Sequence, residues 1–178
     1  MVRNNKEKSY DYFKTEGVVF YGKFAGYANA LWKQNVIQES MIQRLADIYA
    51  ISAIVGLRIG RRLENDMSNT DEKRVVQLEQ IAPEYKRFMT IMQLILILDE
   101  SRGFSEEDRI KMAFDTSPKD ELTYKTNMEL FNSYARGGLQ YLYEELVIRP
   151  MDIDDDYTDR RIANIIALTK NPLVPENL

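Results

Sequence analysis

Asp152, Asp154 and Asp156 occupy alternate positions, the spacing with which a calcium-binding EF-hand loop begins. Such a loop also needs Gly at its sixth position and Glu at its twelfth, where this chain has Tyr157 and Ala163. Three readings stay open: a Mg²⁺ or Ca²⁺ site of another kind, a contact for a basic partner, and a helix cap. The third is the simplest, because carboxylates ahead of a helix are held by its free N–H groups and its positive dipole end. Helical metal enzymes instead set paired acids three or four residues apart on one face of a core helix. Here acid pairs three apart occur only as Asp152/Asp155 and Asp156/Asp159, and outside this run the only pair four apart is Glu7/Asp11.

The 178-residue chain has no cysteine and no histidine. Those two absences exclude disulfides, zinc fingers, thiolate nucleophiles, Ser-His-Asp triads and His-ligated iron or zinc. No cofactor is expected, and the reading leans away from an enzyme. Arg58, Arg61 and Arg62 share one helical face at spacings of three and four, with Lys73 and Arg74 a short loop further on. Such a cluster suits phosphate or nucleic acid. It equally suits the negative end of a helix dipole, or the chain's own acidic half. Gly137-Gly138 lacks the lysine of a phosphate-binding loop.

Charge is distributed unevenly. Residues 1–98 carry 14 basic and 11 acidic side chains, residues 99–178 carry 10 and 17, and the net charge is −4. This polarity allows head-to-tail self-association or a basic face for an anionic partner. Tyr10, Tyr12 and Phe13 follow a polar leader and combine apolar area with polar tips, which suits an interface. The start of the chain shows no secretion signal, and the most apolar window, residues 88–98, falls short of the roughly 20 residues a bilayer crossing needs. A cytoplasmic protein without a membrane partner is the expectation.

Positioning these residues falls to helices. Phe20, Phe24, Tyr27 and Leu31 form a stripe over about 18–35, with a strand over 18–21 as the alternative. The segment 36–63 carries large residues on one side and Ala46, Ala50, Ala53, Gly56 and Gly60 on another, as a helix surrounded by others does. Glycine inside a helix costs roughly 0.5–1 kcal/mol relative to alanine, so close backbone packing must offset it. Gly22 and Gly26 repeat the spacing of Gly56 and Gly60, so the two pairs meet each other or each meets its own copy. Further helices are predicted around Val75–Ile81, Phe88–Leu98 and Ile110–Phe114, the third opened by the capping-box pattern Ser105-Glu-Glu-Asp108. Another begins at Ser117-Pro118 and runs through Gly137-Gly138 to Arg149-Pro150, with a break at the glycine pair as the alternative, and a last one holds Ile162, Ile165 and Ile166. Phe88, Ile91, Leu94, Ile95 and Leu98 bury the second of these on most sides, and the third carries Ile110, Ala113 and Phe114.

The fold class is therefore all-α: one domain over 1–178, a bundle of about six or seven helices around a buried central helix at about 36–63. The leader 1–12 and tail 171–178 are extended or peripheral. The function reading is a non-enzymatic helical interaction or accessory subunit, oligomeric, acting through helix faces, with a protein partner or a second copy. The alternatives are a nucleic-acid-binding component of a larger assembly that uses Arg58, Arg61, Arg62, Lys73 and Arg74, and a divalent-metal enzyme at Asp152–Asp156.

Overall fold

Helical periodicity becomes helix over most of the chain. The computed structural model describes residues 10–33, 40–118, 120–149, 160–170, 173 and 175. In chain order the elements are β1 (Val18–Tyr21), α1 (Lys23–Leu31), α2 (Leu45–Ile59), β2 (Lys73–Val76), α3 (Leu78–Ile81) and a 3₁₀ turn (Ala82–Glu84). There follow α4 (Tyr85–Leu98), α5 (Glu106–Phe114), α6 (Glu121–Tyr143), a π turn (Glu144–Ile148) and α7 (Arg160–Lys170). The all-α class holds, and no helix among the described residues is long and apolar enough to cross a membrane. The chain divides into two compact units, Val18–Val76 with Asn132–Leu178, and Met1–Gly17 with Gln77–Phe131.

In the first of these units α2 is the central helix, with Leu45, Ala46, Ile48, Tyr49, Ala53, Gly56 and Ile59 among its buried residues. It is shorter than the expected 36–63. Arg44 is extended, and Gly60 turns left-handed (φ 72°), its N–H bonding Leu57 O while Arg61 N–H bonds Gly56 O. Residues 36–39 lie outside the described residues. The small-residue side of α2 meets α6, which runs unbroken through Gly137-Gly138. A Cβ on Gly56 would come within 3.0 Å of Gly138 N and strike the Tyr134 carbonyl; a Cβ on Gly138 would come within 2.6 Å of Gly56 N and strike the Ser52 carbonyl. Two backbones thus touch where side chains would otherwise hold helices about 8–10 Å apart. The Tyr49 hydroxyl donates to Asn132 Oδ1 at 2.7 Å across the same pair of helices.

The expected partners Gly22 and Gly26 lie elsewhere. Gly22 (φ 53°) faces the Asp66 carboxylate and Gly26 the Glu72 carboxylate, while Gly60 has no atom within 4 Å of its would-be Cβ. Two stretches read as helical are strands. Val18–Tyr21 pairs antiparallel with Lys73–Val76, Val18 opposite Val76 and Tyr21 opposite Lys73. β-Branched and aromatic residues favour extended backbone, and each strand completes the other's hydrogen bonds across more than fifty residues. Phe20 then packs edge-on to Tyr49, ring centroids 6.1 Å apart.

In the other unit Tyr12 and Phe13 belong to the core. Tyr12 and Phe13 are each 1% exposed. Phe13 lies 5.3 Å from Phe88 and 5.0 Å from Phe131, and Tyr12 stacks on Tyr124 at 5.4 Å. Phe13 holds φ at 60°, a left-handed conformation uncommon for a bulky residue, and its burial offsets that strain. α4 and α5 pack on each other as a hairpin. Ser105 caps α5, its Oγ accepting from Asp108 N at 3.2 Å, as the capping-box spacing implies. At α6 the cap is Asp120, which accepts from Leu122 N and Thr123 N at 3.1 and 2.9 Å. Ser117, the cap expected from sequence, donates instead to Asp11.

The glycine contact sets an order of costs. Gly56→Ala and Gly138→Ala should each lose at least about 2 kcal/mol, because backbone must move. Gly60→Ala, which meets only an unfavourable φ, should lose about 1 kcal/mol. Urea denaturation of the three variants checks the order, and equal losses would discount the contact.

Candidate functional site

Beyond α2 the chain is tied down residue by residue. Leu63 N–H bonds Ser133 O at 3.0 Å, and the buried Arg136 donates through Nε to Leu63 O at 2.8 Å. Asp66 then caps α1, accepting from Lys23 N at 2.8 Å and from Ser68 N and Oγ at 3.1 and 2.5 Å. The Ser68 hydroxyl, then the Lys23 and Ser68 amides, hold the Asp66 carboxyl below the usual aspartate range. Between these ties is an open depression of about 510 Å³ lined by Lys23, Arg62, Leu63, Glu64, Asn65 and Asp66. It brings two cations to two carboxylates, with no excess of either sign for a charged ligand to exploit.

Three of the five basic residues picked out by spacing, Arg61, Arg62 and Arg74, are engaged within their own unit. Arg61 donates to Glu144 Oε2 at 2.7 Å and lies 5.6 Å from the Tyr141 ring centre. Burial pushes the Glu144 carboxyl up, but hydrogen bonds from Arg61 and Gln140 outweigh it and leave the group below its ordinary value. Arg62 lies over Tyr134 at 5.8 Å. Arg74 donates to Asn29 Oδ1 at 2.6 Å and lies over Trp32 at 5.3 Å. Arg58 and Lys73 are exposed. Asp152, Asp154 and Asp156 lie outside the described residues, and among the described residues no three acidic side chains converge as a metal site would need.

Tyr12 closes a buried polar chain. Its hydroxyl accepts from Asn127 Nδ2 at 2.9 Å; Asn127 Oδ1 accepts from Arg102 Nη1 at 3.0 Å, and Arg102 Nε reaches Asp99 Oδ2 at 3.2 Å. Asp99 and Asn127 are each 2% exposed. Burial, only partly countered by the Asn127 hydrogen bond, raises the Tyr12 hydroxyl above its ordinary value. The chain of bonds fixes Tyr12 in place. Tyr10, half-buried, donates to Glu121 at 3.0 Å. Of the three aromatics read as interface residues, Tyr12 and Phe13 are therefore interior.

What spacing did not reveal is an outward apolar surface. Leu94 and Leu98, one turn apart on α4, are 45% and 59% exposed; Ile110 and Phe114, one turn apart on α5, are 41% and 66% exposed. On α7 the residues Ile162, Ile165 and Ile166 also face solvent, while Asn164 is buried and donates to Leu146 O at 2.9 Å. These residues match a core-facing period, and only the packing shows that the core does not take them. Comparison with protein-family models, with curated proteins and with solved structures finds no match to this chain.

Asp66→Ala should lower the melting temperature. Because the folded carboxyl titrates below its unfolded value of about 4, the gap to wild type should be full above that pH and close as pH falls through the folded value. A gap independent of pH would contradict the capping role. Tyr12→Phe should cost about 1–3 kcal/mol in urea, since it leaves an Asn127 donor buried and unpaired.

Proposed function

We propose that the protein is a non-enzymatic helical interaction or accessory subunit that binds another protein through outward helix faces. One observation carries the reading: the α4–α5 hairpin leaves Leu94, Leu98, Ile110 and Phe114 in water. Single exposed apolar residues are ordinary on any surface. Four large apolar side chains at one-turn spacing on two packed helices are more than a stable fold needs, and apolar surface of this kind belongs to partner contacts. The hairpin is also well braced, by the Ser105 cap and by the Arg109–Glu100 and Arg102–Asp99 ion pairs across its corner. A preorganised face loses less freedom on binding. Polyanion binding has less support, because Arg61 and Arg74 are already spent on Glu144 and on Asn29 with Trp32.

The test is comparative capture. Tagged wild-type chain and the Leu98→Glu/Phe114→Glu double variant are purified from the native source, beside a Glu107→Gln control. A protein partner present at near-equal amount with wild type and control should fall at least about tenfold with the double variant, the loss expected of central apolar contacts. The melting temperature of the variant should stay within a few degrees of wild type, because both side chains already face water. Equal capture by all three chains would refute the reading.

A further inference from the structure

α2, otherwise enclosed, keeps one narrow strip of its surface in solvent. Asp47, Ile51, Ile54 and Arg58 follow one another at spacings of four, three and four, which places them along a single helix face. Ile51 is 40% and Ile54 46% exposed, Arg58 is exposed and Asp47 is half-buried, whereas Ala50 and Val55 on either side are buried. The strip inverts onto itself. If two α2 helices lie antiparallel about a twofold axis between residues 52 and 53, Ile51 of each meets Ile54 of the other. The same axis brings Asp47 of each to Arg58 of the other. A parallel pairing would set acid against acid and base against base. Antiparallel pairing also opposes the two helix dipoles favourably. Within its own chain Asp47 pairs with Arg44, Nε at 3.5 Å with 50% of the arginine side chain exposed, and exposed pairs of this kind are worth little.

We infer that this strip is a self-association site, where two copies of the chain join antiparallel through α2. The inference rests on the interaction-subunit reading and deepens it by naming a second copy as one partner. A twofold contact is isologous, so each charged pair and each isoleucine contact is made twice. The strip is short, and the dimer is accordingly weak, with a dissociation constant on the order of 10–100 µM.

Sedimentation equilibrium of the full chain from about 5 to about 500 µM, a range spanning that affinity, tests it. The weight-average mass should rise from 20.8 kDa towards twice that value. Asp47→Arg alone and Arg58→Asp alone should both stay at one chain mass, since each sets like charges together twice. An equimolar mixture of those two variants should dimerise again, and so should the chain carrying both changes. Ile51→Ser/Ile54→Ser, with its circular-dichroism melt unchanged from wild type, should remain monomeric. The inference is overturned by a wild type that stays at one chain mass throughout, by single variants that associate like wild type, or by a mixture that does not recover. A monomeric wild type that still captures a partner through Leu98 and Phe114 sinks the α2 dimer and spares the interaction reading. A dimer with the expected charge behaviour but no such capture does the reverse.

Discussion

The closeness of α2 to α6 is the constraint on which most of its unit depends. Gly56 and Gly138 let the two backbones touch, with the carbonyls of Ser52 and Tyr134 where a methyl group would otherwise sit. Dispersion falls steeply with a fraction of an ångström, so a crossing this tight gathers many small contacts that a wider one would forfeit. It also sets positions further along. The tail of α2 comes near enough to α6 for Arg136 and Ser133 to hold Leu63, and for Arg61 to reach Glu144. From Leu63 the chain reaches Asp66, which starts α1. A single close approach thus fixes an arginine pair, a helix cap and the wall of a depression.

The second unit is organised on a different principle. Its interior is aromatic, with Tyr12, Phe13, Phe88, Tyr124 and Phe131 fully or almost fully buried, and one thread of polar atoms runs from Tyr12 to Asp99. Large rings supply burial worth about 1.5–3 kcal/mol each, enough to hold Phe13 in a backbone conformation it would not choose alone. The polar thread adds direction, since Asn127 and Arg102 bond in only one arrangement. Each unit therefore combines a non-directional contact with a geometric one.

Much of this was legible in the residues. The helical period located α2, α4, α5 and α6. Ser105 announced its cap, and the alanine–glycine side of α2 announced a backbone contact. The identity of the other half of that contact was not legible, because Gly22/Gly26 and Gly137/Gly138 are equally good on paper and only the three-dimensional path chooses. Strand β1 was legible only as an alternative to helix and β2 was missed, for a related reason: each is four residues long and has meaning only beside the other. Arg61 and Arg74 looked like a ligand cluster since their partners, Glu144 and Asn29, lie 83 and 45 residues away. The exposed Leu98 and Phe114 were hidden most thoroughly. Periodicity says that a face is apolar but not whether anything in the same chain covers it.

The span between Tyr12 and Asn127, 115 residues, has a consequence for biosynthesis. A ribosome releases Tyr12 and Phe13 long before the helix that will enclose them exists, so their nest cannot assemble until the residues up to Asn127 and Phe131 have emerged. Local helices can form early, but ring closure on that scale must wait, and loops of this length fold slowly. During the interval Tyr12 and Phe13 are naked hydrophobes on the part of the chain already outside the ribosome, the condition in which nascent chains recruit chaperones. The residues that anchor the finished interior are thus the ones most in need of shelter while it is being made.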